Sequence, residues 1–67
     1  MKEESLSEQL VRARLSSVQL NKTDFAIKIG VSIITLNKIE NPNLIEYVRF
    51  QQVLKYAKAV GLRITAV

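Results

Sequence analysis

The chain has no cysteine and no histidine. The first absence excludes a disulfide staple, and the two together exclude an ordinary zinc site. They also remove the side chains that most often serve as nucleophile and general base. Glycine is scarce as well. Gly30 and Gly61 stand alone, so no glycine-rich loop can cradle a phosphate. The acidic residues do not form a paired-carboxylate cleft: Glu3, Glu4 and Glu8 fall on the first turn, and Glu46 is isolated. Tyr47 and Tyr56 read as helix-surface or packing residues rather than as acids or bases. These absences argue against an enzyme and imply no cofactor and no metal. No apolar run approaches the ~18 residues of a membrane span, and the opening MKEESLSEQ is too acidic and polar for a signal peptide. A cysteine-free chain with neither segment fits the cytoplasm.

What remains is a 67-residue chain, enough for one small domain over residues 1–67. A chain of this size buries only about 60% of its unfolded surface. Tight helix packing or oligomerisation must therefore supply the stability that staples do not. Ten Lys and Arg against six Asp and Glu leave a net charge of +4. A basic surface favours polyanions such as nucleic acid, although many small soluble proteins are equally basic.

The pattern that organises the chain is NKTDFAIKIGVSIITLNKIE, from Asn21 to Glu40. It predicts two short helices and a tight turn. Asn21 caps the first, with Asp24 three residues on in a capping-box-like arrangement, and Lys22 to Ile29 form it. Ala26 is small where the helices cross. Gly30 supplies the positive φ that ends a helix sharply, and Val31 completes the turn. Ser32 caps the next helix, which runs to Glu40. Phe25, Ile29, Val31, Leu36 and Ile39 can face one core. The result is a helix-turn-helix over 22–40, a unit whose second helix can lie in a DNA major groove.

The flanking segments read as further helices. Ser5 or Ser7 can cap a first helix running to about Ser17, with Leu6, Leu10, Val11 and Ala13 or Arg14 at helical spacing. Asn41-Pro42-Asn43 closes the helix that ends at Glu40, because proline cannot continue it. Asn43 can cap a short fourth helix with Leu44, Ile45 and Val48 inward. A fifth helix spans about Arg49 to Val60, burying Phe50, Val53, Leu54, Ala57 and Val60, and Gly61 stops it. Lys55 and Lys58 belong to its solvated face. From Leu62 to Val67 the period changes to two: Leu62, Ile64 and Ala66 alternate with Arg63, Thr65 and Val67, which predicts a strand. A lone strand needs a partner, and the same strand of a second subunit is the simplest.

The residues RLSSVQLNKTDFAIKIGVSIITLNKIE and VLKYAKAVGL, within roughly Leu10 to Leu62, resemble the Cro/repressor-type (XRE-like) helix-turn-helix domains. The resemblance implies an all-α, five-helix, lambda-repressor-like DNA-binding domain, here with the short C-terminal β-strand. It also implies a structural pair between Arg14 and Glu40. A small domain ending in a strand after Gly61-Leu62 is similar to the HipB-type antitoxins, which implies a repressor that also neutralises a toxin encoded beside it.

For such a domain the expected DNA-facing residues are Lys22, Thr23, Ser32, Ile33, Ile34, Thr35, Asn37 and Lys38. Lys38 can donate to guanine and Asn37 can pair with adenine. Lys22 and Thr23 are placed for phosphates, and Thr35 lies near the backbone. Thr23 and Ser32 are the weaker candidates, since a hydroxyl at a helix start is more often only a cap. Ile33 and Ile34 stand where the family usually carries polar residues. They can contact thymine methyls, bind protein as an apolar patch, or, for one of them, pack inside. The implied partners are a near-palindromic double-stranded operator, a second copy joined through Leu62, Ile64 and Ala66, and a cognate toxin, with no membrane. A protein-interaction module without DNA binding and a phage accessory regulator are the alternatives.

Overall fold

A computed structural model describes residues 4–63. Four α-helices follow in order: α1 Leu6–Ser17, α2 Lys22–Ile29, α3 Ile33–Ile39 and α4 Phe50–Val60, with a single 3-10 turn Ile45–Tyr47 between α3 and α4. The described residues are thus all-helical and contain no strand.

The first three helix starts each have a local cause, a side-chain cap, whereas α4 opens after Arg49 without one. Ser5 and Glu8 form a reciprocal capping box on α1: Ser5 Oγ accepts from the Glu8 N–H at 3.2 Å, and a Glu8 carboxylate oxygen takes the Ser5 N–H at 3.4 Å. Ser5 is therefore the cap. Ser7 is fully buried, and its hydroxyl donates to the Ile39 carbonyl at 2.8 Å, tying the start of α1 to the end of α3. Asn21 Oδ1 accepts the Asp24 N–H at 2.8 Å to open α2. Ser32 Oγ does the same for α3, accepting the Thr35 N–H at 3.1 Å.

The two glycines end helices. Gly30 has φ 77° and Gly61 φ 76°, both left-handed. At the first, the Gly30 and Val31 N–H groups both reach the Ala26 carbonyl, at 2.9 and 3.0 Å. At the second, the Leu62 N–H returns to the Ala57 carbonyl at 2.9 Å.

The core is built from Leu10 of α1, Phe25 and Ala26 of α2, Leu36 and Ile39 of α3, and Val53, Tyr56, Ala57 and Val60 of α4. The first helix packs on α4, α2 packs on both α3 and α4, and α3 rests against the 3-10 turn. Each large apolar side chain so buried contributes about 1.5–3 kcal/mol. The Phe25 and Tyr56 rings meet edge to face, with centroids 5.0 Å apart.

Several sequence expectations are corrected. The fourth of five helices is only the 3-10 turn: its cap position is Leu44, with no side-chain cap from Asn43, while Asn41 Oδ1 takes the Asn43 N–H at 2.9 Å and curls the chain around Pro42. Ile45 and Val48 pack against the core, but Leu44 is turned outward. The last helix starts at Phe50, which is exposed, and its buried stripe begins one turn later at Val53. Tyr56, not Leu54, fills the centre of that stripe; Leu54 is only half-buried. Leu62 and Arg63 are not in a strand, since Leu62 is held by its bond to Ala57 and packs on the core. Ile64, Ala66 and the rest of the expected strand lie outside the described residues. No helix among the described residues is long and apolar enough to cross a membrane.

Candidate nucleic-acid interface

The turn between α2 and α3 is set by Ala26, which is 2% exposed where the two helices cross, and by the left-handed Gly30. Because α3 is only seven residues long, its orientation depends on its anchors rather than on its own helical stability. Leu36 and Ile39 are its fully buried anchors. Glu40, its C-cap, is the third.

Glu40 gathers one side chain from each of the other helices. The Arg14 Nε–H of α1 donates to Glu40 Oε2 at 2.7 Å, and the same group lies 3.2 Å from the Tyr56 hydroxyl of α4. The Tyr56 hydroxyl in turn donates to Glu40 Oε2. On the other carboxylate oxygen, Lys22 Nζ of α2 sits 3.3 Å from Oε1. The Arg14 and Glu40 side chains are 9% and 8% exposed, so this pair is largely desolvated, while Lys22 stays 44% exposed. Among the described residues no buried side-chain nitrogen or oxygen lacks a partner, which is the condition under which such a buried cluster is tolerated.

The environment shifts two of these groups. Burial pushes the Tyr56 phenol up, and the hydrogen bond to Glu40 and its negative charge push it further, against a smaller opposing effect of Arg14. For Arg14, burial works to lower the pKa, but its hydrogen bonds to Tyr56 and Glu40 and the Glu40 charge outweigh it and hold the guanidinium above its ordinary value.

The outer surface of α3 is different in kind. Ser32, Ile33, Ile34, Asn37 and Lys38 are all exposed. Ile34 is 66% exposed and Ile33 39%, so neither is a core residue. Asn37 and Lys38 make no side-chain hydrogen bond or ion pair among the described residues. Ser32 is less free: its hydroxyl accepts the Thr35 N–H and donates to Thr35 Oγ1 at 3.0 Å, which makes both residues parts of the helix cap. Thr23 is exposed at the start of α2, next to Lys22.

The expected residues therefore divide. Ile33, Ile34, Asn37 and Lys38 share an uncommitted helix surface, whereas Lys22, Arg14 and Glu40 share a carboxylate. Two residues of the site escaped the sequence reading. Tyr56 has a helical spacing that marks it as buried, but nothing in its spacing reveals the Glu40 partner 16 residues away. Ser7 passes for a helix cap because a serine near a helix start usually is one. Compared with protein-family models, curated proteins and solved structures, the chain matches none.

Proposed function

We propose that this domain is a sequence-specific DNA-binding regulator, a cytoplasmic autorepressor that acts as a homodimer on a near-palindromic operator. The observation that carries the reading is the two-sided character of α3. Its inner side is fixed by Leu36, Ile39 and the Glu40 cluster, while its outer side presents Ile33, Ile34, Asn37 and Lys38 with no partner of their own among the described residues. A side chain reads a base edge only if its donors are not already used, and only if the helix beneath it is rigid. In this reading Lys38 and Asn37 contact bases, Ile33 and Ile34 contact thymine methyls, and Lys22, Thr23 and Thr35 lie along the phosphate backbone. A net charge of +4 supports the same partner.

The experiment is a salt titration of binding to the DNA upstream of the gene. For ~6 phosphate contacts across a dimer, affinity falls about a thousandfold between 50 and 200 mM salt. Lys38→Ala lowers preference at one position per half-site by about 1–3 kcal/mol, and Lys22→Ala weakens all sequences alike. Absence of binding at low salt rejects the reading.

The antitoxin role belongs to the same proposal and rests on the resemblance alone. A second reading, a module that binds protein and not DNA, is favoured by one observation: Ile34 and Ile27 of neighbouring helices are 66% and 72% exposed. Pull-down of the product of the adjacent gene, with and without operator DNA, separates the two.

A further inference from the structure

Between α3 and α4, exposure follows a pattern that the core does not require. Ile45 and Val48 pack inward, but Leu44, Tyr47 and Phe50 are 39%, 74% and 48% exposed. In a 3-10 turn, residues three apart eclipse one another, so Leu44 and Tyr47 share its outer side, and Phe50 opens α4 just beyond. Two of the four aromatic residues of the chain thus face solvent within a few positions. Aromatic side chains are enriched at the centres of protein interfaces and uncommon as bare surface. Interleaved with them are Glu46 and Arg49, both exposed, and neither forms an ion pair among the described residues.

We propose that this segment is where a second copy of the chain docks, with Glu46 of each copy facing Arg49 of the other. The charge arrangement selects that occupant. A two-fold axis brings the same patch onto itself, so that residue i meets j and j meets i. A patch carrying one acid and one base three residues apart satisfies both when it runs antiparallel to its copy. A partner of one dominant charge would gain at one of these residues and lose at the other. The tail is a weaker competitor for the interface, because its first residue, Leu62, is already engaged by its own subunit through Ala57 and the core. The inference rests on the homodimer of the proposed function but not on DNA binding, so it is tested without DNA.

The test is sedimentation equilibrium of the full chain, from about micromolar to about millimolar concentration, the range in which small interfaces associate. Glu46→Arg and Arg49→Glu each place two like-charge contacts across the axis and are expected to weaken association roughly tenfold. The double variant, Glu46→Arg with Arg49→Glu, recreates the pairing with reversed polarity and is expected to restore it. Phe50→Ser is expected to weaken association with no charge change. Circular dichroism melts check that each variant is folded, which the exposure of all three sites favours. Restoration by the double swap supports the interface. Unchanged association in both single swaps and Phe50→Ser overturns it while leaving a homodimer elsewhere. A wild-type chain that stays monomeric throughout overturns both.

Discussion

Arg14 and Glu40 stand 26 residues apart in sequence and meet at 2.7 Å, with both side chains nearly closed off from water. A second arginine on the same helix, Arg12, also pairs with an acid, Glu4, but there the guanidinium-bearing side chain is 72% exposed. The Arg14 pair is also joined by Tyr56 and Lys22, but the difference in exposure to solvent dominates what each pair is worth. Removing one partner of a desolvated pair strands the other charge, whereas an exposed pair is already half-replaced by water. Arg14→Met is expected to lower unfolding free energy by about 3 kcal/mol, and Arg12→Met by about 1 kcal/mol or less. Urea denaturation of the two variants measures both, and equal losses would show that the Arg14 pair is wet.

Tyr56 links stability to alkaline pH. Its phenol is held neutral by burial and by Glu40, so the folded chain binds that proton more tightly than the unfolded chain does. The stabilisation is complete below the ordinary tyrosine value of about 10 and drains away as pH rises beyond it. Tyr56→Phe loses the hydrogen bond and is expected to be less stable by about 1 kcal/mol at neutral pH. It is also expected to fall less than the wild type between about pH 9 and about pH 11. Parallel slopes for the two proteins would remove Tyr56 from the account.

Gly30 isolates a backbone effect. A Cβ added there meets nothing within 4 Å, so the only obstacle to a side chain is φ 77°. Gly30→Ala is therefore expected to cost about 1–2 kcal/mol, all of it conformational. Gly30→Asn is expected to cost less, since asparagine tolerates the left-handed region. Thermal melts rank the three proteins, and alanine as stable as glycine would mean that the turn relaxes out of that conformation.

Replacing Ile33 and Ile34 together by serine removes exposed apolar surface and leaves the Ser32 cap in place. Since neither side chain belongs to the core, the unfolding free energy is expected to change by less than about 1 kcal/mol. Operator affinity is expected to fall through lost thymine-methyl contact. Intact operator binding together with loss of a protein partner would transfer these residues to the protein-interaction reading.

Helices α2 and α3 and the turn between them were legible because their signals are local. Asn21, Gly30 and Ser32 act on backbone groups within three or four residues, and the caps and left-handed turn follow from residue type. The inward faces of α2 and α3 follow from apolar spacing, and Phe25, Leu36 and Ile39 are where that spacing puts them. The segment after Pro42 was harder. Three residues of apolar character do not distinguish an α-helix from a 3-10 turn, and Phe50 looks like a core residue because composition carries no information about where a helix starts to be covered. The carboxylate cluster was legible only in part. The Arg14–Glu40 pair came from resemblance, not from spacing. The approach of Tyr56 and Lys22 depends on the packing of α4 and α2, which no short window contains. The outer surface of α3 was named from the expected docking of such a helix on DNA; Ser32, Ile33, Ile34, Asn37 and Lys38 are exposed there, and Thr35 is half-buried.

The separation of the two sides of α3 bears on how this sequence can change over generations. Among the described residues, the positions that hold the helix, Leu36, Ile39 and Glu40, share no side-chain hydrogen bond or ion pair with Ile33, Ile34, Asn37 or Lys38. Substitutions on the outer surface are thus nearly silent in folding, since surface changes remote from caps and buried pairs typically stay within about 0.5 kcal/mol. Under the proposed function, what α3 recognises can therefore drift one residue at a time, along a path on which every intermediate still folds.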